Sequence, residues 1–277
     1  MFERLTAPTA ALCIAFNFMA ASLQAETSDK LEAFLTVTGF DVALESIRLS
    51  ADSAPMMIGL DASAFGATWA TTVDEVFDVE EMHEQAVEIL QETLAPELLD
   101  HAVTFYTSDL GQRLVTAENA SHMRDDGELK KEMGDAIIAG LVRLGAPRLE
   151  LLKRLNAATG SIDASIHAIQ EIQVRVLMAA AAAGVIELRM DEPDLRANLE
   201  QQEGELRRTI QTNGLSGSAY TYQAFSDDEV YAYAEALEDP MMQEVYALMN
   251  AVQFQIMADR FEAVTLRLRD IQPTQEL

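Results

Sequence analysis

The chain has 277 residues, with 19 Lys and Arg against 46 Asp and Glu and a formal net charge of −27. That balance excludes the clustered basic residues that give affinity for nucleic acid. A hydrophobic content of 49% excludes a disordered acidic chain, and a single Cys excludes both a disulfide framework and a cysteine-based zinc site.

Residues 1–25 read as a secretory signal peptide. Arg4 supplies a weak basic start, and an apolar stretch from Ala10 to Ala21 is interrupted only by Asn17. Ser22 to Ala25 ends in a small residue at the cleavage point. The stretch is too short to span a bilayer, which needs about 20 apolar residues. Cleavage after Ala25 removes Glu3 with Arg4, so the charge is unchanged, and it removes Cys13. An exported, thiol-free chain points to the periplasm of a Gram-negative bacterium.

Past the signal, apolar residues recur at helical spacing along nearly the whole chain. Low aromatic content (6%) and few Gly and Pro favour helix over sheet. Val73–Thr93 carries one apolar stripe through Val76, Val79, Met82, Ala86 and Leu90, with Glu and Asp opposite. Glu128–Leu144 carries another through Leu129, Met133, Ile137 and Leu141. Ile162–Leu188 is the longest run, and its centre, Met178–Ala183, is apolar enough to be buried on all sides. Asp194–Gln211 is the most polar helix. Asn213–Tyr222, with Gly214, Gly217 and several hydroxyl residues, reads as a loop.

The pattern occurs twice. At a constant offset, Leu99 pairs with Val230, Ala102 with Tyr233, Leu110 with Met241, Gln112 with Gln243, Leu114 with Val245 and Asn119 with Asn250. Upstream, Leu31 to Gly39 matches Leu152 to Gly160 at a shorter offset, which places an insertion inside the second copy. The expected fold is therefore all-α, a helical bundle of two diverged tandem repeats, 26–146 and 147–277, meeting at Gly145 to Pro147. Both copies carry the same helix-start chemistry. Pro96 stands at a first helical position, Ser226 and Glu229 form a capping box, and Ser108 and Asp239 stand at equivalent N-caps.

Leu94, Pro96, Glu97, Leu98, Leu99, Phe105, Tyr106, Ser108, Gly111, Gln112 and Leu114 together resemble the signature of the DUF2059 family of bacterial secreted proteins. The resemblance covers much of 30–125 and is fainter over 150–255, where Ala236 and Leu237 replace the Phe–Tyr pair and Met242 replaces the glycine. It implies an all-helical envelope protein and supplies no activity or catalytic residues.

Candidate chemistry is sparse. His83, His101, His122 and His167 are scattered, and Glu118 with His122 at i, i+4 is better explained as an exposed ion pair than as metal ligands. His167, among apolar neighbours, reads as a partly buried, hydrogen-bonded imidazole. Asp125 to Glu128 lacks the ligand spacing of a calcium loop and reads as a turn with an acidic helix start. The 13 Met read mainly as core filler. No nucleophile elbow, phosphate loop or dinucleotide fingerprint is present, so no catalytic residue, metal or cofactor is expected.

The binding candidates are Gln112 and Asn119, two helical turns apart, with their counterparts Gln243 and Asn250 and the pair Phe105 and Tyr106. A structural role explains the amides as partners of buried backbone groups and the aromatics as core. A functional role has them lining a cleft between helix pairs. The function that follows is a non-catalytic binding or protein-interaction module for a protein or small apolar ligand, with no nucleic acid and no membrane span. The alternatives are an envelope hydrolase with an unrecognised site and a structural oligomerising protein.

Overall fold

The computed structural model describes residues 28–124 and 126–271, and among these residues every regular element is helical. The signal-peptide reading of residues 1–25 lies outside them. In chain order the helices are α1 (28–38), α2 (Phe40–Leu49), α3 (Ser53–Met57), a 3-10 turn (Ala62–Phe65), α4 (Gly66–Val76), α5 (Val79–Thr93), α6 (Pro96–Tyr106) and α7 (Asp109–His122). There follow α8 (Gly127–Leu144), α9 (Arg148–Ala158), α10 (Ile162–Ala182), α11 (Glu192–Gln201), α12 (Glu203–Thr221), α13 (Asp227–Leu237) and α14 (Pro240–Arg267). No helix among the described residues is long and apolar enough to cross a membrane.

The starts are set by local chemistry. Pro96 opens α6 and Pro240 opens α14, where a missing N–H costs nothing. Ser108 caps α7 by accepting from the Gly111 N–H, and Asp239 caps α14 by accepting from the Met241 N–H. Ser226 and Glu229 form the full reciprocal capping box of α13. The Ser226 backbone N–H, with Arg113 and the Ser226 hydroxyl, holds the Glu229 carboxyl down to about 2. α6 and α13 are each 11 residues long, and each is followed after two residues by the next helix.

Four sequence readings are corrected. Val73–Thr93 is two helices, because Asp78 turns to cap α5, accepting from the Glu81 N–H, after α4 has ended at Val76. Asp194–Gln211 is likewise divided, at Gln202. The expected loop 213–222 is helical as far as Thr221, where α12 ends, and Tyr222 is its C-cap. There the small residues serve close packing: a Cβ at Gly134 of α8 would collide with the Ser216 carbonyl, so glycine lets the two helices meet backbone to backbone. Finally, Met178–Ala183 is not buried all round, since Ala182 is exposed and α10 ends there, before Gly184 turns with φ +73°.

α14 organises the molecule. It packs on α10 and α13 of its own part of the chain and on α3, α4, α5 and α6 of the earlier part. α12 lies on α8 and α9, and α13 on α9. Most of the buried apolar side chains form one continuous cluster that runs from Leu31, Phe34 and Leu44 through Leu90, Leu99 and Leu114 to Leu152, Val230, Ile256 and Phe261. Met82 and Met242 are core, whereas Met56, Met123, Met133 and Met190 are exposed, so methionine fills the interior only in part.

Candidate functional site

Where α7, α12, α13 and α14 converge, polar atoms gather inside the core. The stripe of α7 that faces inward runs Gly111, Leu114, Val115 and then Glu118, a carboxylate on an otherwise apolar, buried face. Its Oε1 accepts from the hydroxyls of Tyr222 (2.7 Å) and Tyr233 (2.9 Å). Tyr233 also meets the Tyr246 hydroxyl at 2.9 Å, and Tyr246 meets that of Tyr106 at 2.5 Å. Each phenol has one proton, which fixes the direction of the chain. Tyr233 donates to Glu118, so Tyr246 donates to Tyr233 and Tyr106 donates to Tyr246. Every proton in the cluster points towards the carboxylate.

The rings are held as firmly as the hydroxyls. Phe105 stacks on Tyr233 with an interplanar angle of 3° and centroids 5.7 Å apart, and Tyr222 and Tyr106 make edge contacts with Tyr233 and Phe105. Burial pushes the Glu118 carboxyl above the usual range, outweighing the two tyrosine hydrogen bonds that act to lower it. Burial also drives the Tyr106, Tyr222 and Tyr233 hydroxyls well above the ordinary phenol value, so all remain protonated donors at neutral pH.

This cluster lines a cavity of about 430 Å³. One wall comes from the end of α1 and from α7, with Phe34, Thr38, Gly39, Glu118, Asn119 and Ser121. The facing wall comes from the end of α9, α12 and α14, with Asn156, Thr159, Gly217, Ser218, Tyr246 and Asn250. Lys130 and His122 also line it, and the Lys130 Nζ donates to the Ser121 carbonyl at 3.2 Å. Ser218 donates to the Asn156 Oδ1 at 2.6 Å, and Thr221 to Ser121 at 2.8 Å. The Glu118 Oε2, by contrast, takes no hydrogen bond from the described residues, and neither does the Asn119 amide make one.

Four of the six sequence candidates meet here. Tyr106, Asn119 and Asn250 line the cavity, and Phe105 braces Tyr233. Asn119 packs against Gly39 so closely that a Cβ there would collide with its amide; Asn250 stands 2.9 Å from where a Cβ of Gly160 would be. Asn250 Nδ2 also donates to the Thr159 carbonyl at 3.0 Å. Gln112 and Gln243 lie apart from this cavity. Gln112 Nε2 donates to the Tyr106 carbonyl at 2.7 Å and so satisfies the end of α6. Gln243 lines a second cavity of about 540 Å³ between α10 and α14, shared with Tyr246 and Asn250 and walled by alanines such as Ala164, Ala168 and Ala251.

Two histidine readings are corrected. Glu118 does not pair with His122, because the two tyrosines take up its Oε1 inside the core. His167 is exposed at the rim of the second cavity and makes no hydrogen bond with the described residues. Among the described residues no group of three or more His, Cys, Asp and Glu is placed to hold a metal ion. Sequence reasoning missed Glu118, Tyr222, Tyr233 and Tyr246 as a set. The available signal was a carboxylate three and four residues beyond Val115 and Leu114, on the buried face of its helix.

Comparison with known families bears out the resemblance for one part of the chain. Residues 80–139, from α5 into α8, match the model of the family described as an uncharacterized protein conserved in bacteria (DUF2059). No curated protein and no solved structure matches the chain significantly.

Proposed function

We propose that the protein is a non-catalytic binding module, exported to the bacterial envelope, whose ligand site is the cavity between α1 with α7 and α9 with α12 and α14. The observation that carries this reading is the convergence, from both parts of the chain, of polar side chains, the unpartnered Glu118 Oε2 and Asn119 amide among them, on a half-open cavity of about 430 Å³ partly walled by tyrosines. Pockets for small molecules have this character: a mostly apolar surface with a few fixed polar groups. The hydroxyls on the lining are engaged with other side chains, Ser218 with Asn156 and Thr221 with Ser121, and none is paired with His122, which favours binding over hydrolysis.

A tandem origin accounts for the site's layout. In each half a Thr–Gly helix end meets an asparagine, Gly39 against Asn119 and Gly160 against Asn250. Gly39, Asn119 and Asn250 line this cavity, which a joint between a unit and its diverged copy would explain. On this reading residues 26–146 and 147–277 are diverged copies joined across the ligand site.

The test is a ligand-observed NMR screen of neutral fragments against the purified chain and a plugged variant, Gly217→Leu. Gly217 lines the cavity, and a Cβ added there meets no atom within 4 Å, so the larger side chain enters open space. Fragments should bind the wild type and lose their signal with the plug. Equal signals from both proteins would refute the site. Turnover of an esterase, peptidase or glycosidase substrate that survives purification would favour the hydrolase instead. N-terminal sequencing of exported protein should begin at Glu26.

A further inference from the structure

The chemistry left unspent in the cavity specifies more than its shape does. All four tyrosine protons are committed along the chain that ends on Glu118 Oε1, so the cluster offers a ligand no phenolic donor. What remains is an acceptor, the Glu118 Oε2, and, elsewhere on the same lining, the unpartnered Asn119 amide. Tyr106, Tyr222, Tyr233 and Tyr246 line the same cavity, and it is their hydroxyls that converge on the carboxylate. An unpaired carboxylate oxygen in a cavity whose phenol protons are all spent suits one ligand class above others. A protonated amine forms a charge-assisted hydrogen bond to the carboxylate.

We infer that the cavity binds a small organic cation, a primary amine on an apolar body, with its ammonium group on Glu118 Oε2. This rests on the binding-module reading and names its ligand class. The competing feature is Lys130, the one basic side chain besides His122 on the lining, which would favour an anion. Its Nζ makes one hydrogen bond, to the Ser121 carbonyl, and keeps two donors. It stands for the anion reading that the 3-phenylpropionate probe tests, while the unpaired Glu118 oxygen favours the amine.

The experiment is isothermal titration calorimetry on the purified chain with three probes of one shape: phenethylamine, 2-phenylethanol and 3-phenylpropionate. Phenethylamine should bind at least tenfold more tightly than 2-phenylethanol. Glu118→Gln keeps an oxygen for Tyr222 and Tyr233, so the cluster survives, and it should abolish the preference for the amine while leaving the alcohol's affinity unchanged. Gly217→Leu should remove binding of both. Equal binding of amine and alcohol by the wild type, tighter binding of 3-phenylpropionate, or no binding by any probe would each overturn the amine assignment. None of these touches the cavity reading, which stands or falls on the plug with neutral fragments.

Discussion

Gly39 ends α1 in the left-handed region at φ +69°, with the Asn119 amide where its Cβ would be. Gly39→Ala should therefore cost about 1–2 kcal/mol for the backbone conformation, with the collision added. A Gly39→Ala, Asn119→Ala double variant should recover only the collision part, which urea denaturation of the four proteins would separate. Glu118 makes the opposite kind of prediction. Its charge is unfavourably buried, so Glu118→Gln should leave the melting temperature unchanged or raise it. Glu118→Leu strands two phenol protons and should cost roughly 1–3 kcal/mol for each. His83 is a pH reporter on α5, its Nδ1 2.5 Å from Asp41 of α2 and its Nε2 2.8 Å from Glu32 of α1. Burial lowers its pKa, but the two carboxylates outweigh that and raise it overall. A raised folded value means the contribution is complete below the ordinary imidazole pKa of about 6.5 and is lost as pH climbs through the folded one. With solvent screening the contribution is about 0.5–1 kcal/mol. The stability difference between wild type and His83→Gln should shrink between pH 5.5 and pH 8.5.

Helix by helix, the parts written in local code were legible in the sequence. Pro96, Ser108, Ser226 and Asp239 mark helix starts because each satisfies or avoids a backbone N–H within three residues, and such chemistry needs no knowledge of the rest of the fold. Replacing Ser226 by Ala should cost about 1 kcal/mol, measurable by urea denaturation. What was misread depends on a partner helix. Gly214, Ser216 and Gly217 look like loop residues until α8 is laid over α12 at Gly134. That crossing yields a sharp expectation: Gly134→Ala drives a methyl into the Ser216 backbone and should destabilise by about 1–3 kcal/mol. The site shows the same division. Asn119 and Asn250 could be picked out because they recur at one offset in the sequence, and Tyr106 because it stands in the family signature, whereas Tyr222, Tyr233 and Tyr246 meet the Glu118 cluster only through long-range packing.

At the scale of the whole molecule, the continuous core means that neither half is finished alone. Unfolding in urea should show one transition, with Trp69 fluorescence, which reports on α4, and far-UV circular dichroism giving the same midpoint. Two separated midpoints would mean two independent domains. The joint is polar as well as apolar. Arg260 of α14 donates to the Val76 carbonyl at the end of α4 and pairs with Glu81 of α5, while Arg113 of α7 pairs with Glu229 of α13 at 2.7 Å. The net charge of −27 is thus not spread evenly against a scarce set of cations: several of the few arginines are spent locking one half to the other.

The position of α14 bears on the order in which the molecule can be completed. Helices α3 to α6 rest on residues 240–267, which are synthesised well after them. Until those residues arrive, the earlier helices lack part of the surface they settle on, so the last helix to be made is the one that finishes the packing of the first.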